Sequence, residues 1–412
     1  MGEILFLAHR VPFPPDRGDK IRSHHLLKAL AALAPVHVAC FADDEADAAQ
    51  EGEVAALAAS HCLVSRAKPL ALAGLEALAT GRPVSLTAFA DRQLSAYVAK
   101  VLRERPISAI FVFSGQMGQY VPAGWAGRLA VDFVDVDSAK FGAYATTARW
   151  PLRWLHAREE RLLRAEEGRL AARAKASLLV SEPEAELFRK RLAPGLQGRC
   201  TIRALGNGID AALYDPATVA PEPRLAGLPG PRLVFTGQMD YPPNVAAVVR
   251  AAHSIMPLVR QACPEASFHV VGRKPTPAVL ALDGVNGCRV WGRVDDVRPW
   301  LKAADAALVP LDLARGVQNK VLEAMAMALP VIASPEAATG IAATPGETVL
   351  IGASDAELAE AVIALARDPA RADRMGQGAR ARVMAGHGWP AMLAPLPDLL
   401  GLAPRTAARD AA

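Results

Sequence analysis

Short apolar runs of strand length alternate along this chain with segments of helical period, and the alternation runs through twice. Parallel strands need a crossover connection, and a helix supplies it, so this rhythm predicts a doubly wound parallel sheet. In the first half the runs at 3–8, 36–40, 109–113, 129–134 and 177–180 read as strands, with a helix at 19–33 and a long charged helix at 149–175. The proline-rich stretch 215–231 (DPATVAPEPRLAGLPGP) interrupts the pattern and predicts a linker. The rhythm then restarts with strands at 232–236, 267–271, 289–291, 306–309, 330–333 and 348–351, and with helices at 244–261 and 295–304. The reading is a first α/β domain over 1–214, a linker over 215–231 and a second α/β domain over 232–388. At 412 residues the chain exceeds one ordinary core, which agrees with two domains.

Composition narrows the function. Hydrophobic residues make up 52%, yet no uncharged apolar run reaches the roughly 18–20 residues of a membrane span. The start, MGEILFLAHR, reads as a first strand and not as a signal peptide, so a cytoplasmic protein is expected. Cys40, Cys62, Cys200, Cys263 and Cys288 are scattered, without CxxC or Cys/His spacing, so neither a metal site nor disulfides are expected. A net charge of +4 is too small to argue for nucleic acid.

The densest chemical signal is GVQNKVLEAMAMALPVIAS, residues 316–334. Gln318 and Asn319 end a loop. The following run has strong helix formers, with Leu322, Met325 and Ala326 at core-facing spacing, and Pro330 closes it before a short apolar strand. Lys320 lies in the first turn, where a cation opposes the helix dipole unless an anion sits beside it. Helix N-termini are ready phosphate sites. Glu323 is one turn along on the same side. The pair reads either as an ordinary surface ion pair or as a cation for phosphate beside a carboxylate for hydroxyls.

VLEAMAMALPVIAS closely resembles the signature of retaining nucleotide-sugar glycosyltransferases of family 4, on the GT-B fold. That resemblance implies two Rossmann-like domains facing across a cleft, with the last helix, about 389–402, returning to the first domain. Glu323 matches the Glu that holds the donor ribose. The family's first Glu lies eight positions earlier, where this chain has Arg315. The form GVQNKVLEAMA resembles sugar transferases associated with exopolysaccharide and PEP-CTERM loci.

Further positions follow from the same likeness. Gly18, in PFPPDRGDKIRSHH, matches the family's first-loop glycine near the reacting centre, and Asp19 and Lys20 beside it are assigned to the acceptor side. Lys20 and Arg22 would add positive charge there. Asp132, Asp135 and Asp137 follow an apolar strand, and such carboxylates repel unless solvated or paired. Asp135 is nearest the family's sugar-contacting position and Asp137 second, also on the acceptor side. Asn207-Gly208-Ile209-Asp210 matches the family's NG[VI]D turn. Relatives place an Arg just after the Gly that corresponds to Gly237, and a Lys soon after; here Gln238 and Pro243 or Asn244 stand instead. The phosphate cation is therefore assigned to Lys320, with Arg273 second. Arg293 and Val294 resemble the segment that meets the nucleobase. Catalytic roles fall to Lys320, Asp135 and Gly18. Donor binding falls to Glu323, Lys320, Asn319, Gly237, Gln238, Arg273, Arg293, Val294 and Asn207.

The implied function is retaining transfer of a sugar from a nucleotide diphosphate to a glycan or lipid-linked acceptor, with no cofactor and no metal implied. A basic face on 149–175 with Trp150 and Trp154 would suit an anionic membrane surface, placing the protein peripherally at the inner face of the membrane. Its rivals are a GT-B nucleotide-sugar 2-epimerase and a non-catalytic subunit of an export complex.

Overall fold

The computed structural model describes residues 2–210, 213–314, 317–341 and 344–402. Arg315 therefore lies outside the described residues. The chain forms two compact units: residues up to Gly206 with those from Leu393 on, and Asn207–Met392.

In the first unit seven parallel strands form one sheet: β1 (Glu3–Ala8), β2 (Val36–Ala42), β3 (Ser60–Ser65), β4 (Ile107–Phe113), β5 (Arg128–Val134), β6 (Ala176–Leu179) and β7 (Ile202–Ala204). Their order is β3-β2-β1-β4-β5-β6-β7. Leu5 pairs with Ile110 and Leu7 with Val112, and these share one buried face with Ala39, Leu129 and Val131. The alternate residues Ile4, Phe6 and Phe111 are equally buried on the other face. Burial on both faces is why these strands read as continuous apolar runs without alternation.

The second unit repeats the plan with β8 (Arg232–Thr236), β9 (Ser267–Val271), β10 (Cys288–Gly292), β11 (Ala306–Val309), β12 (Val331–Ala333) and β13 (Leu350–Ile351). Its order is β10-β9-β8-β11-β12-β13. The strand order reverses between β1 and β4 in the first sheet and between β8 and β11 in the second. Ligands of such sheets bind outside the carboxyl ends of the strands at that reversal.

Several local expectations change. The charged helix starts at Leu152 and runs to Arg173, after a separate helix Asp137–Thr147 that packs along it. The 244–261 helix is Pro242–Arg250 and Met256–Ala262 joined by a π-turn, Ala251–Ile255. The wide turn precedes Pro257, whose ring cannot sit against the carbonyl four residues back. The 215–231 stretch is folded into the second unit. Leu225 is fully buried, the Glu222 side chain caps the single turn Pro223–Ala226, and the Glu222 amide donates to Pro299 O at 2.9 Å. The unit boundary falls earlier, between Gly206 and Asn207. Leu396–Leu400 packs beside β5 in the first unit, with Leu396, Leu399 and Leu400 buried.

Candidate functional site

The helix Asn319–Ala326 follows β11 and so begins at the reversal point of the second sheet. Val321, Leu322, Ala324, Met325 and Ala326 bury its inner face, which fixes the outward direction of Lys320 and Glu323. Gln318, at the N-cap, makes no capping bond with its side chain. The Lys320 ammonium donates to Asn244 Oδ1 at 3.1 Å and to Gln318 Oε1 at 3.4 Å, and stands 5.1 Å from the centre of the Phe235 ring. Burial lowers its pKa to about 8, against the upward pull of Glu323. A cation held in so poorly solvated a place gains most from an incoming anion.

Asn244 is the brace. It is buried, its Nδ2 donates to Gln238 O at 2.9 Å, and its Oδ1 accepts from Lys320. Gly237, between β8 and this brace, has φ +153, and a Cβ there would lie 2.9 Å from Asn244 Nδ2 and 3.4 Å from Lys320 Cε. Only a residue without a side chain lets the end of β8 pass so close to the ammonium. Gln238 is exposed and binds Asp240 Oδ1 at 2.6 Å, while Arg273 Nη2 reaches Gln238 Oε1 at 3.3 Å. Asn207 Nδ2 donates to Asn319 Oδ1 at 3.4 Å, tying the NGID turn to the start of the site helix.

Glu323 sits one turn further on. Burial pushes its carboxyl above the usual range, opposed by the Lys320 charge and by a hydrogen bond from Tyr214. Burial, the Glu323 charge and that same bond push the Tyr214 phenol up, so it keeps its proton and donates. Lys320, Glu323, Asn319, Asn207, Gly237, Gln238 and Arg273 are thus linked around one sheet end. Arg293 and Val294 follow β10, two strands away from β8. Arg293 is exposed, and Val294 packs part-buried on the core. Asn244 and Tyr214 are the additions; the sequence signalled Asn244 only as a replacement for the family's Lys, and Tyr214 not at all.

In the first unit, Gly18 opens the helix Gly18–Leu33, and the space where its Cβ would stand is empty. Asp19 is bound by Arg10, with Arg17 at 3.3 Å and His9 at 3.5 Å. Burial alone would raise its pKa, but the hydrogen bond from His9 and the charges of Arg10, His9 and Arg17 hold it well below the carboxylate range. The positive charge assigned to Lys20 and Arg22 is turned inward. Lys20 is buried on Asp47 and on Phe13 O at 2.9 Å. Arg22 is buried on Asp132 at 2.8 Å and on Gly206 O at 3.2 Å. Asp135 and Asp137 share Lys140, at 3.0 and 3.1 Å, which answers their mutual repulsion. Both carboxylates remain partly exposed.

No group of three or more His, Cys, Asp or Glu able to hold a metal occurs among the described residues. A cavity of about 1020 Å³ lies at the other, amino-terminal end of the second sheet, lined by Pro231, Leu233, Ala306 and Pro330 among others, and includes none of the donor-side residues named here. Size alone therefore does not locate the chemistry.

Residues 230–368 match the family described as glycosyl transferases group 1, a segment lying within the second unit. A GDP-mannose-dependent monoacylated alpha-(1-6)-phosphatidylinositol monomannoside mannosyltransferase of Corynebacterium glutamicum is 31% identical over 226 residues, 50% of this chain and 57% of that protein. The match thus spans little more than half the length of that relative. The solved sucrose-phosphate synthase of Thermosynechococcus elongatus superposes with a TM-score of 0.65 at 19% identity, over 97% of this chain and 98% of that one. Anabaena HepE, in complex with UDP and glucose, gives 0.66 at 13% identity, over 97% and 100%. These likenesses establish the fold as GT-B, with two parallel-sheet α/β units.

Proposed function

We propose that the protein is a retaining, hexosyl-type glycosyltransferase that takes a sugar from a nucleotide diphosphate and gives it to a glycan or lipid-linked acceptor in exopolysaccharide biosynthesis. One observation carries this reading: Lys320, braced by Asn244 against Gly237, stands at the sheet reversal with Glu323 one turn away. An ammonium beside a helix N-terminus suits a diphosphate, whose charge grows as the bond to the sugar breaks. Glu323, whose carboxylate oxygens accept from Tyr214, keeps further acceptor capacity for the two ribose hydroxyls. The match over 230–368 and the relative named for GDP-mannose support a nucleotide-sugar donor. Retention and an exopolysaccharide role rest on the likeness of GVQNKVLEAMA to that subgroup. In the first unit, Gly18, Asp19, Asp135 and Asp137 are the residues proposed to meet the transferred sugar and the acceptor; Lys20, buried on Asp47, would only support that loop.

The test is a thermal-shift screen of UDP-, GDP- and dTDP-sugars, since a ligand of the native state alone raises stability by mass action. One nucleotide class should stabilise the protein, and slow hydrolysis of that donor should release the sugar with its original anomeric configuration, read by NMR. A protein that no nucleotide sugar stabilises is not a transferase of this kind. Inversion at the anomeric carbon would refute retention alone, and isomerisation at C2 would favour the epimerase.

A further inference from the structure

Two exposed apolar faces of the first unit play no part in the chemistry above. The helix Leu70–Thr80 (LALAGLEALAT) is inside out. Its small residues Ala73 and Ala77 are buried, while Leu70, Leu72, Leu75 and Leu78 stand in solvent, Leu70 at 72% and Leu75 at 66% exposure. At about 100° per residue, Ala71, Leu72, Leu75, Leu78 and Ala79 share one arc that contains no polar side chain. The second face lies where Asp137–Thr147 gives way to Leu152–Arg173, with Tyr144, Trp150, Leu152 and Trp154 all exposed, Trp150 at 83%. The two elements that carry them adjoin. Arg158, one helical turn beyond Trp154, donates from Nη2 to Ala77 O at 2.7 Å and to Arg82 O at 3.1 Å, at the end of the leucine helix.

The charge around the aromatic face is one-sided. Residues 144–158 contain no acidic side chain, and Arg149 and Arg153 are exposed. Leucines flanked by Trp, Tyr and Arg have the chemistry of a bilayer interface, where apolar side chains enter the acyl boundary and amphipathic rings sit among the headgroups. We propose that this joint face, Leu70–Leu78 with 144–154, docks on an anionic lipid surface, with Arg149 and Arg153 on lipid phosphates. A soluble protein partner would account for the leucines but not for an acid-free rim. The rest of 149–175 is not part of the contact. Leu163, Glu167 and Leu170 are buried, and Arg169 is paired with Glu166 at 2.5 Å. The inference rests on the transferase reading only for its purpose, which is to bring a lipid-linked acceptor within reach.

Co-sedimentation of the full chain with vesicles tests it, using mixed phosphatidylglycerol–phosphatidylcholine against phosphatidylcholine alone. The protein should follow the anionic vesicles, and less so as salt rises. R149Q/R153Q should weaken the partition about 25-fold, at roughly fivefold per charge. L72E/L75E should abolish it, and both variants should keep the wild-type thermal shift with nucleotide sugar, because the donor-side residues lie in the other unit. Loss of the donor shift in the wild type would sink the transferase reading and leave the docking standing. Equal sedimentation of wild type and both variants overturns the docking. So does a concentration-dependent dimer that L72E/L75E breaks in a protein that ignores anionic vesicles, since a second copy then covers the face.

Discussion

Raising the pH from 7 to 9 should strip the protein of donor affinity through Lys320 alone. With a pKa lowered to about 8, that ammonium is about nine-tenths charged at pH 7 and about one-tenth charged at pH 9. If only the charged form holds the diphosphate, the dissociation constant weakens about tenfold over this interval. The diphosphate linkage of a nucleotide sugar has no proton to lose in that range, and what the uracil or guanine N–H loses towards pH 9 is common to the wild type and the Lys320 variants and is subtracted. At pH 8 binding should take up about half a proton, because the ligand draws Lys320 back to its charged form. Calorimetry with UDP-glucose or GDP-mannose, in buffers of different ionisation enthalpy, measures both quantities. K320M should bind weakly and without pH dependence. K320R, charged throughout the range, should also lose the pH dependence, although the broader guanidinium meets Gly237 and Asn244. The unliganded fold has a matching signature. Below about pH 8 Lys320 is protonated folded or unfolded, and its burial cost is fully present. From about 8 up to the ordinary lysine value of 10.5 the unfolded chain holds the proton longer, so this group makes stability rise with pH. Affinity that is flat from pH 7 to 9 in the wild type, with no proton uptake, would refute the argument.

Three substitutions extend the reasoning. Glu323→Gln should raise the donor Michaelis constant roughly tenfold with turnover little changed, because ribose hydroxyls are held alike in ground and transition states. Tyr214→Phe removes the bond that opposes the upward shift of Glu323, so the acid limb of donor binding should move to higher pH while the fold is kept. Gly237→Ala places a Cβ 2.9 Å from Asn244 Nδ2 at φ +153, and should cost about 1–3 kcal/mol in a denaturant melt and loosen the Lys320 brace.

The doubly wound plan was legible because strands buried on both faces leave unbroken apolar runs. The missed strands are those that lack this signature. β3 reads SHCLVS and is only partly buried at the sheet edge, and β7 has three residues, two of them exposed. The helix Asp137–Thr147 went unread because DSAKFGAYATT buries only Ser138 and so shows no apolar stripe. Proline content made 215–231 look like a linker, yet the burial of Leu225 and the Glu222–Pro299 bond, which composition cannot show, fold it into the second unit. Lys320 and Glu323 were legible from one helical turn. Their partners were not, since Asn244 lies 76 residues from Lys320 in sequence and nothing local to Tyr214 announces its bond to Glu323.

The departures from the pattern that the resemblance implies make sense as one rearrangement of charge. The resemblance implies an Arg and a Lys after the glycine that ends the first strand of the second domain; this chain has Gln238 and Asn244 at or near those places. Neither can carry charge, but both still bind. Asn244 turns one end to Gln238 O and the other to the Lys320 ammonium, so its position now fixes a cation supplied by a different element. Gln238 in turn accepts from Arg273. Substitution of an Arg or Lys by an amide would leave a diphosphate unmatched if the sites were independent. Here the amides span from the end of β8 to two basic residues carried on other segments. Asn244→Ala therefore leaves every charge in place and should still weaken the donor, roughly tenfold if the lost anchor resembles one charged hydrogen bond. Asn244→Asp adds a carboxylate against the ammonium, which would stabilise Lys320 in its charged form but compete with the diphosphate for it. Full donor affinity in both variants, measured by the same calorimetry, would show that Lys320 needs no brace and that the rearrangement is only apparent.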